Sequence, residues 1–443
     1  MKKQIILLAA IFALHLAGLC WVAAREPQES APKPATIEEL VKEGNAAYDR
    51  SEYAKSAKLL QEAIARGAKE TGVIYNAACS TALAGDKERA FQLLDQVIEA
   101  GWRKSDHLKN DRDLNSLHDD PRWPKVMAAC DARLATYIKD HSDPNNVRFI
   151  TEDIERFWQG HDKAMAAAPE ERAAIFEREY IAPGTIGLKD FSRSGRLDAV
   201  NLAKKTESRR NFYAAIRAQT ANIGRQRAET IAAFRKFKQF YPEAIFPDAY
   251  FIIGQMRSGG TASDNGLLMG AEMFTRTSNL PTGELNEWEK NAVMEQSEIP
   301  PLVAHESVHF QQKYPLEGGL LCNCLKEGSA DFLGELTSGR LIKRMRDVHA
   351  WANVRERELW DEFQKDMTVA NSSSHWLYGS SGKGERPVDL GYWMGYKISE
   401  AYYKNAADKK QAVRDILIVK DCKELLKASR YTEKFVAATT VPK

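Results

Sequence analysis

His305, Glu306 and His309 stand in the order H-E-x-x-H. On a helix, residues four apart share a face, so the two imidazoles can reach one cation. Glu306 then lies beside that cation and not on it, where a general base for an activated water belongs. The flanking sequence favours a helix: Pro300 and Pro301 suit a first turn, and nothing from Leu302 to Lys313 breaks it. A catalytic zinc needs a third protein ligand and an open fourth position. Eighteen residues after His309 comes Glu327-Gly328-Ser329-Ala330-Asp331. Glu327 supplies that ligand from a second helix. Asp331, four residues on, shares its face and is set to accept the remaining N–H of a ligating imidazole. The expectation is one Zn²⁺ on His305, His309 and Glu327. The first motif alone arises by chance in many chains, as a polar helix face with two histidines; the second makes the pair specific.

Hydrolysis at such a site develops an oxyanion that needs a donor besides the metal. Tyr396, Tyr392 and His375 are the candidates, in that order. The two tyrosines are four apart in a helical stretch over 389–398 and so share a face; their plain alternative is amphipathic core. His375 lies in a Ser-, Asn- and Gly-rich stretch over 368–384 that reads as a loop.

These residues must be held by the elements around them. Upstream, 249–253 is a β-type run, 259–262 (Gly-Gly-Thr-Ala) reads as a turn, and 266–271 as a second short strand. An edge strand here could hold an extended peptide across the metal; the alternative is a structural hairpin. Before it, 151–165 carries Ile154, Phe157 and Trp158 on one helical face, Pro169 opens another helix, and 199–238 supplies one or two more. The basic run from Lys204 to Arg210 is a solvated helix face, not a nucleic-acid site. The turn residues of 141–146 mark a domain boundary. Ahead of it, 38–66 aligns with 71–99 at an offset of 33, with Ala57 on Ala90, Leu60 on Leu93 and Ile64 on Val97. The stretch 102–141 then reads as a cap. The expected class is mainly α (α+β): a repeat domain over 37–142, then a mostly helical zincin-like domain with a small β-sheet over 147–443.

The second domain resembles bacterial zinc-dependent proteases long carried as a domain of unknown function, close to the gluzincin metallopeptidases. The strand pair with its Gly-Gly-Thr, the two motifs above, and Gly391-Tyr392-Trp393-Met394-Gly395-Tyr396 carry the likeness over most of 245–400. Glu327 follows His309 more closely than in better-known gluzincins. The first domain resembles tetratricopeptide repeats, helix-turn-helix units of about 34 residues. These resemblances imply a zinc metallopeptidase acting on a peptide or protein substrate, with a further protein partner docked at the repeats.

Composition fits an ordinary globular chain, 44% hydrophobic and 28% charged, and a net charge near +2 gives no reason to expect nucleic acid. Lys2 and Lys3 precede an apolar run over 5–24, ending in Val22-Ala23-Ala24. A cleaved export signal over 1–24 is preferred, followed by a Pro-rich linker over 25–36. An uncleaved anchor and a lipoprotein signal at Cys20 are the alternatives, the latter disfavoured by Leu19 before the cysteine. All three put the body in the periplasm or outside the cell, with membrane contact only if the segment is retained or lipidated. Of the remaining cysteines, Cys322 or Cys324 is expected to pair with Cys422, or to stay a buried thiol. The rival function is a non-catalytic envelope binding or assembly protein with a structural or degenerate zinc site. In a third reading the motif is chance, and no stoichiometric zinc binds.

Overall fold

A computed structural model describes residues 35–315, 318–367, 375–379 and 386–437. The expected export segment, most of the linker and much of 368–384 lie outside the described residues. The chain is mainly helical with one small four-stranded sheet, and it divides into two compact units, Met1–Thr136 and Tyr137–Lys443. The division falls inside the helix Trp123–Asp140, a few residues before the turn cluster at 141–146.

In the N-terminal unit, helices Ile37–Asp49 and Tyr53–Ala65 are followed by Thr71–Leu83 and Lys87–Glu99. The two pairs repeat at 34 residues, not 33. Matching small residues slid the sequence alignment by one. The true register is set where the helices stop, at Gly67 and Gly101, whose φ angles of 110° and 112° suit glycine. The segment Arg112–Leu117 closes the pairs: Tyr48 donates to Asp113 (2.6 Å) and Tyr75 to Asp111 (2.7 Å).

The second unit is built around strands β1 (Phe149–Ile150), β2 (Ala249–Ile252), β3 (Gly260–Ser263) and β4 (Gly266–Gly270), in the order β1-β2-β4-β3. β1, β2 and β4 run parallel, and β3 is antiparallel to β4. The stretch read as a turn is therefore β3, and the turn itself is Asp264-Asn265. Gly-Gly-Thr-Ala has little intrinsic strand preference; its ladder with β4 imposes the conformation. β2 and β4 are buried along their whole lengths, with Phe251, Ile252, Leu267 and Met269 in the main core. That core is shared with the helix Ile299–Gln311, of whose thirteen residues only His309 and Phe310 are not buried.

Helix Gly319–Ser338 packs against both Ile299–Gln311 and Leu390–Asn405. The second of these contacts is backbone to backbone. A Cβ on Gly395 would lie 1.8 Å from the Cys324 carbonyl oxygen, and one on Gly328 would lie 2.1 Å from the Tyr396 nitrogen. A disulfide joins Cys322 to Cys422, while Cys79, Cys130 and Cys324 are buried thiols. Among the described residues, no helix is long and apolar enough to cross a membrane.

Candidate metal centre

Pro300 and Pro301 occupy the first turn of Ile299–Gln311, where missing N–H groups cost nothing. The helix then carries His305 and Glu306 into a cleft of about 920 Å³, with His309 one turn further on. His305 and His309 bring their Nε2 atoms to 3.0 Å from each other. Glu327, from the middle of Gly319–Ser338, puts Oε2 at 3.2 Å from His309 Nε2 and 3.9 Å from His305 Nε2. The three donor atoms lie within 4.8 Å of one another.

The outer ring nitrogens are also held. His305 Nδ1 donates to Asp331 Oδ1 (2.8 Å), and His309 Nδ1 donates to Gln312 Oε1 (2.7 Å). The amide orientation of Gln312 is fixed because its Nε2 donates to the Lys326 carbonyl (2.7 Å) and to Ser329 Oγ (2.9 Å). With both Nδ1 atoms protonated, the neutral rings aim two Nε2 lone pairs and a carboxylate at one point. Such a set repels itself unless a cation or a proton lies between. Two imidazoles and a carboxylate, each imidazole backed by an acceptor, fit zinc.

Electrostatics agree. Burial opposes charge on His305, yet the hydrogen bond and charge of Asp331 outweigh it and raise its pKa to about 9. Glu327 is buried too, but its contacts with His309 and His305 and its bond from Tyr378 hold it down at about 2. The centre attracts positive charge. Glu306 differs: burial raises its pKa, only partly offset by the histidines, which suits a base working near neutrality.

β3 runs beside this carboxylate. A Cβ on Gly260 would lie 2.7 Å from Glu306 Oε1. As the outer strand of the sheet, β3 borders the cleft through Gly260. Ile342, Met345 and Val348 add apolar side chains to the lining of the cleft.

The three expected donors are placed differently from one another. Tyr392 stacks on His305, ring centroids 6.2 Å apart at 17°, and lines the cleft. Tyr396, ranked first from sequence, spends its hydroxyl on Glu335 (2.6 Å) and is not among the lining residues. Residues four apart share a helix face, but Tyr396 sits one turn beyond the site. His375 is also elsewhere: its Nε2 bonds Asp366 (2.9 Å), with Glu362 at 3.5 Å, and it does not line the cleft. Tyr378, three residues on, is the loop residue that reaches the centre, donating to Glu327 Oε1 at 2.9 Å. Sequence reading passed over it because an irregular stretch has no period to single out one side chain. Gln312 was missed as well, although its place three residues after His309 was the available signal.

A family model described as "Gliding motility protein GldB" matches residues 142–433. Another, described as "A/B hydrolase-like, N-terminal domain", matches residues 36–137. No curated protein and no solved structure matches the chain.

Proposed function

The chain belongs to the gliding motility protein GldB family, and from the geometry of its cleft we propose that it is an extracytoplasmic zinc-dependent metallopeptidase. One observation carries the reading: His305, His309 and Glu327 converge on a point at which Asp331 and Gln312 have fixed both imidazoles. Zn²⁺ bound by those three residues would supply Lewis acidity toward water and a peptide carbonyl. Glu306 takes a proton from the attacking water and returns it to the leaving amine. β3 offers its free edge to an extended peptide, the usual way a sheet margin holds main chain. Tyr392, which lines the cleft beside His305, is the hydroxyl available to the developing oxyanion, while that of Tyr378 already donates to Glu327.

The family description favours a second reading, a non-catalytic envelope binding or assembly protein whose metal site is structural. The N-terminal helical unit is the docking module in either case, and Cys20 is the residue a lipid anchor would use. Cleavage of an unfolded protein by the purified chain separates the two. Peptidase function requires turnover that a chelator stops and that Glu306→Gln abolishes while zinc remains at one per chain. Stoichiometric zinc with no cleavage selects the second reading. No stoichiometric zinc removes the peptidase and leaves a binding or assembly protein whose site is degenerate or a chance pattern.

A further inference from the structure

Three arginines line the cleft: Arg257, Arg340 and Arg344. Two have counterions, Arg340 with Glu229 (2.6 Å) and Arg344 with Asp389 (2.6 Å). Arg257 makes no ion pair with any described carboxylate; one of its guanidinium nitrogens donates to the Gly195 carbonyl (3.3 Å). Asp198 senses its charge, but the Asp198 oxygens are taken by the backbone and side-chain nitrogens of Asn201, each at 2.8 Å. Arg196, next to that Gly195 carbonyl, adds a second positive charge that acts on Glu306.

The loop carrying Arg257 is built at some expense. Glu272 is fully buried and makes no ion pair among the described residues. Its two oxygens accept from the backbone nitrogens of Gly254 (2.8 Å) and Met256 (3.1 Å). A Cβ on Gly254 would stand 2.9 Å from Glu272 Oε1. Met256 has a φ of 60°, a left-handed conformation that is strained for a non-glycine residue. A buried carboxylate and a strained residue thus fix the backbone just before Arg257. Three residues later comes Gly260, whose α-carbon abuts Glu306.

We propose that Arg257, on the loop held by Glu272, binds a carboxylate of the bound peptide at the end of the cleft where β3 begins. The inference rests on the peptidase reading for the identity of the ligand. A free C-terminus and an acidic side chain present the same group, and an arginine fork suits both.

The test measures binding by fluorescence anisotropy to zinc-loaded Glu306→Gln chain. The probes are three N-terminally labelled hexapeptides of one sequence: a free acid, its C-terminal amide, and the amide with one internal Glu. At least one carboxylate-bearing peptide should bind about tenfold tighter than the plain amide, the strength expected of one charge-assisted contact near solvent. Whichever peptide gains the preference identifies the source of the carboxylate. Arg257→Ala should bring the ratio close to one, and Arg257→Glu should turn it toward the amide. Equal binding of all three probes, a ratio unmoved by Arg257→Ala, or no binding of any probe overturns the proposal. Protein cleavage by the wild-type chain is scored separately. Carboxylate preference without cleavage keeps Arg257 in its role and drops the peptidase; cleavage with indifferent binding does the reverse.

Discussion

Gly260 and Glu306 touch: no side chain fits between the backbone of β3 and the Glu306 carboxylate, since a Cβ would come within 2.7 Å of Oε1 and 2.9 Å of Cγ. The sheet edge and the proposed base are therefore one structural unit. Gly260→Ala pushes the carboxylate aside without touching His305, His309 or Glu327. The expected result is a loss of peptidase turnover of roughly 100-fold, as displacements of about 1 Å produce, with zinc content unchanged at one per chain. Zinc loss in this variant would show that the contact holds the helix, not the base.

Asp331 orients His305, and its second oxygen is buried without a partner among the described residues. Asp331→Ala leaves His305 Nδ1 unpaired and its ring free to turn. Zinc affinity should fall about 10- to 100-fold, read by competition with a chromophoric chelator. Gln312→Ala removes the same support from His309 and should act in the same direction.

The convergence of His305, His309 and Glu327 was readable because helices convert spacing into direction. Four residues between His305 and His309, and four between Glu327 and Asp331, each fix a face. What spacing could not supply was depth along the face or the path of an irregular segment. Tyr396 shares a face with Tyr392 yet ends on Glu335, and His375 belongs to an Asp366 corner while Tyr378 reaches Glu327. The mainly helical class and the short strands β2 and β4 were legible from apolar periodicity. β3 was not, because Gly260 and Ala262 have no side chains that announce a strand; its conformation comes from pairing with β4. The fixed positions of Met256 and Arg257 depend on Glu272, which no local pattern links to them.

The Cys322–Cys422 bridge spans 100 residues and anchors the start of the helix that carries Glu327. Closing a loop of that length restricts the unfolded chain by about 4 to 5 kcal/mol in the chain-entropy account. Reduction, or the double substitution Cys322→Ser with Cys422→Ser, should lower the urea midpoint clearly and weaken zinc retention. A midpoint unchanged by reductant would mean that packing around Cys324 and Leu325 alone holds that end of the helix.

Glu272 gives the fold a pH dependence of its own. Full burial raises its pKa to about 7, although the backbone N–H groups of Gly254 and Met256 work the other way. Its unfolded value is near 4.5. Between those two values the folded chain binds more protons at this site than the unfolded chain does. Stability from this group is therefore greatest below pH 4.5, declines as pH rises through the window, and levels off above about 7. The total effect is at most about 3 kcal/mol. Urea unfolding of zinc-loaded chain from pH 5 to 8 should show this decline, and Glu272→Gln should flatten it. That variant should also be weaker by about 1 kcal/mol at low pH, because an amide can accept from only one of the two N–H groups through its single oxygen. An identical slope in wild type and Glu272→Gln would assign the pH dependence to another group, and Glu272 would then be ionised across this window in the folded chain as in the unfolded one.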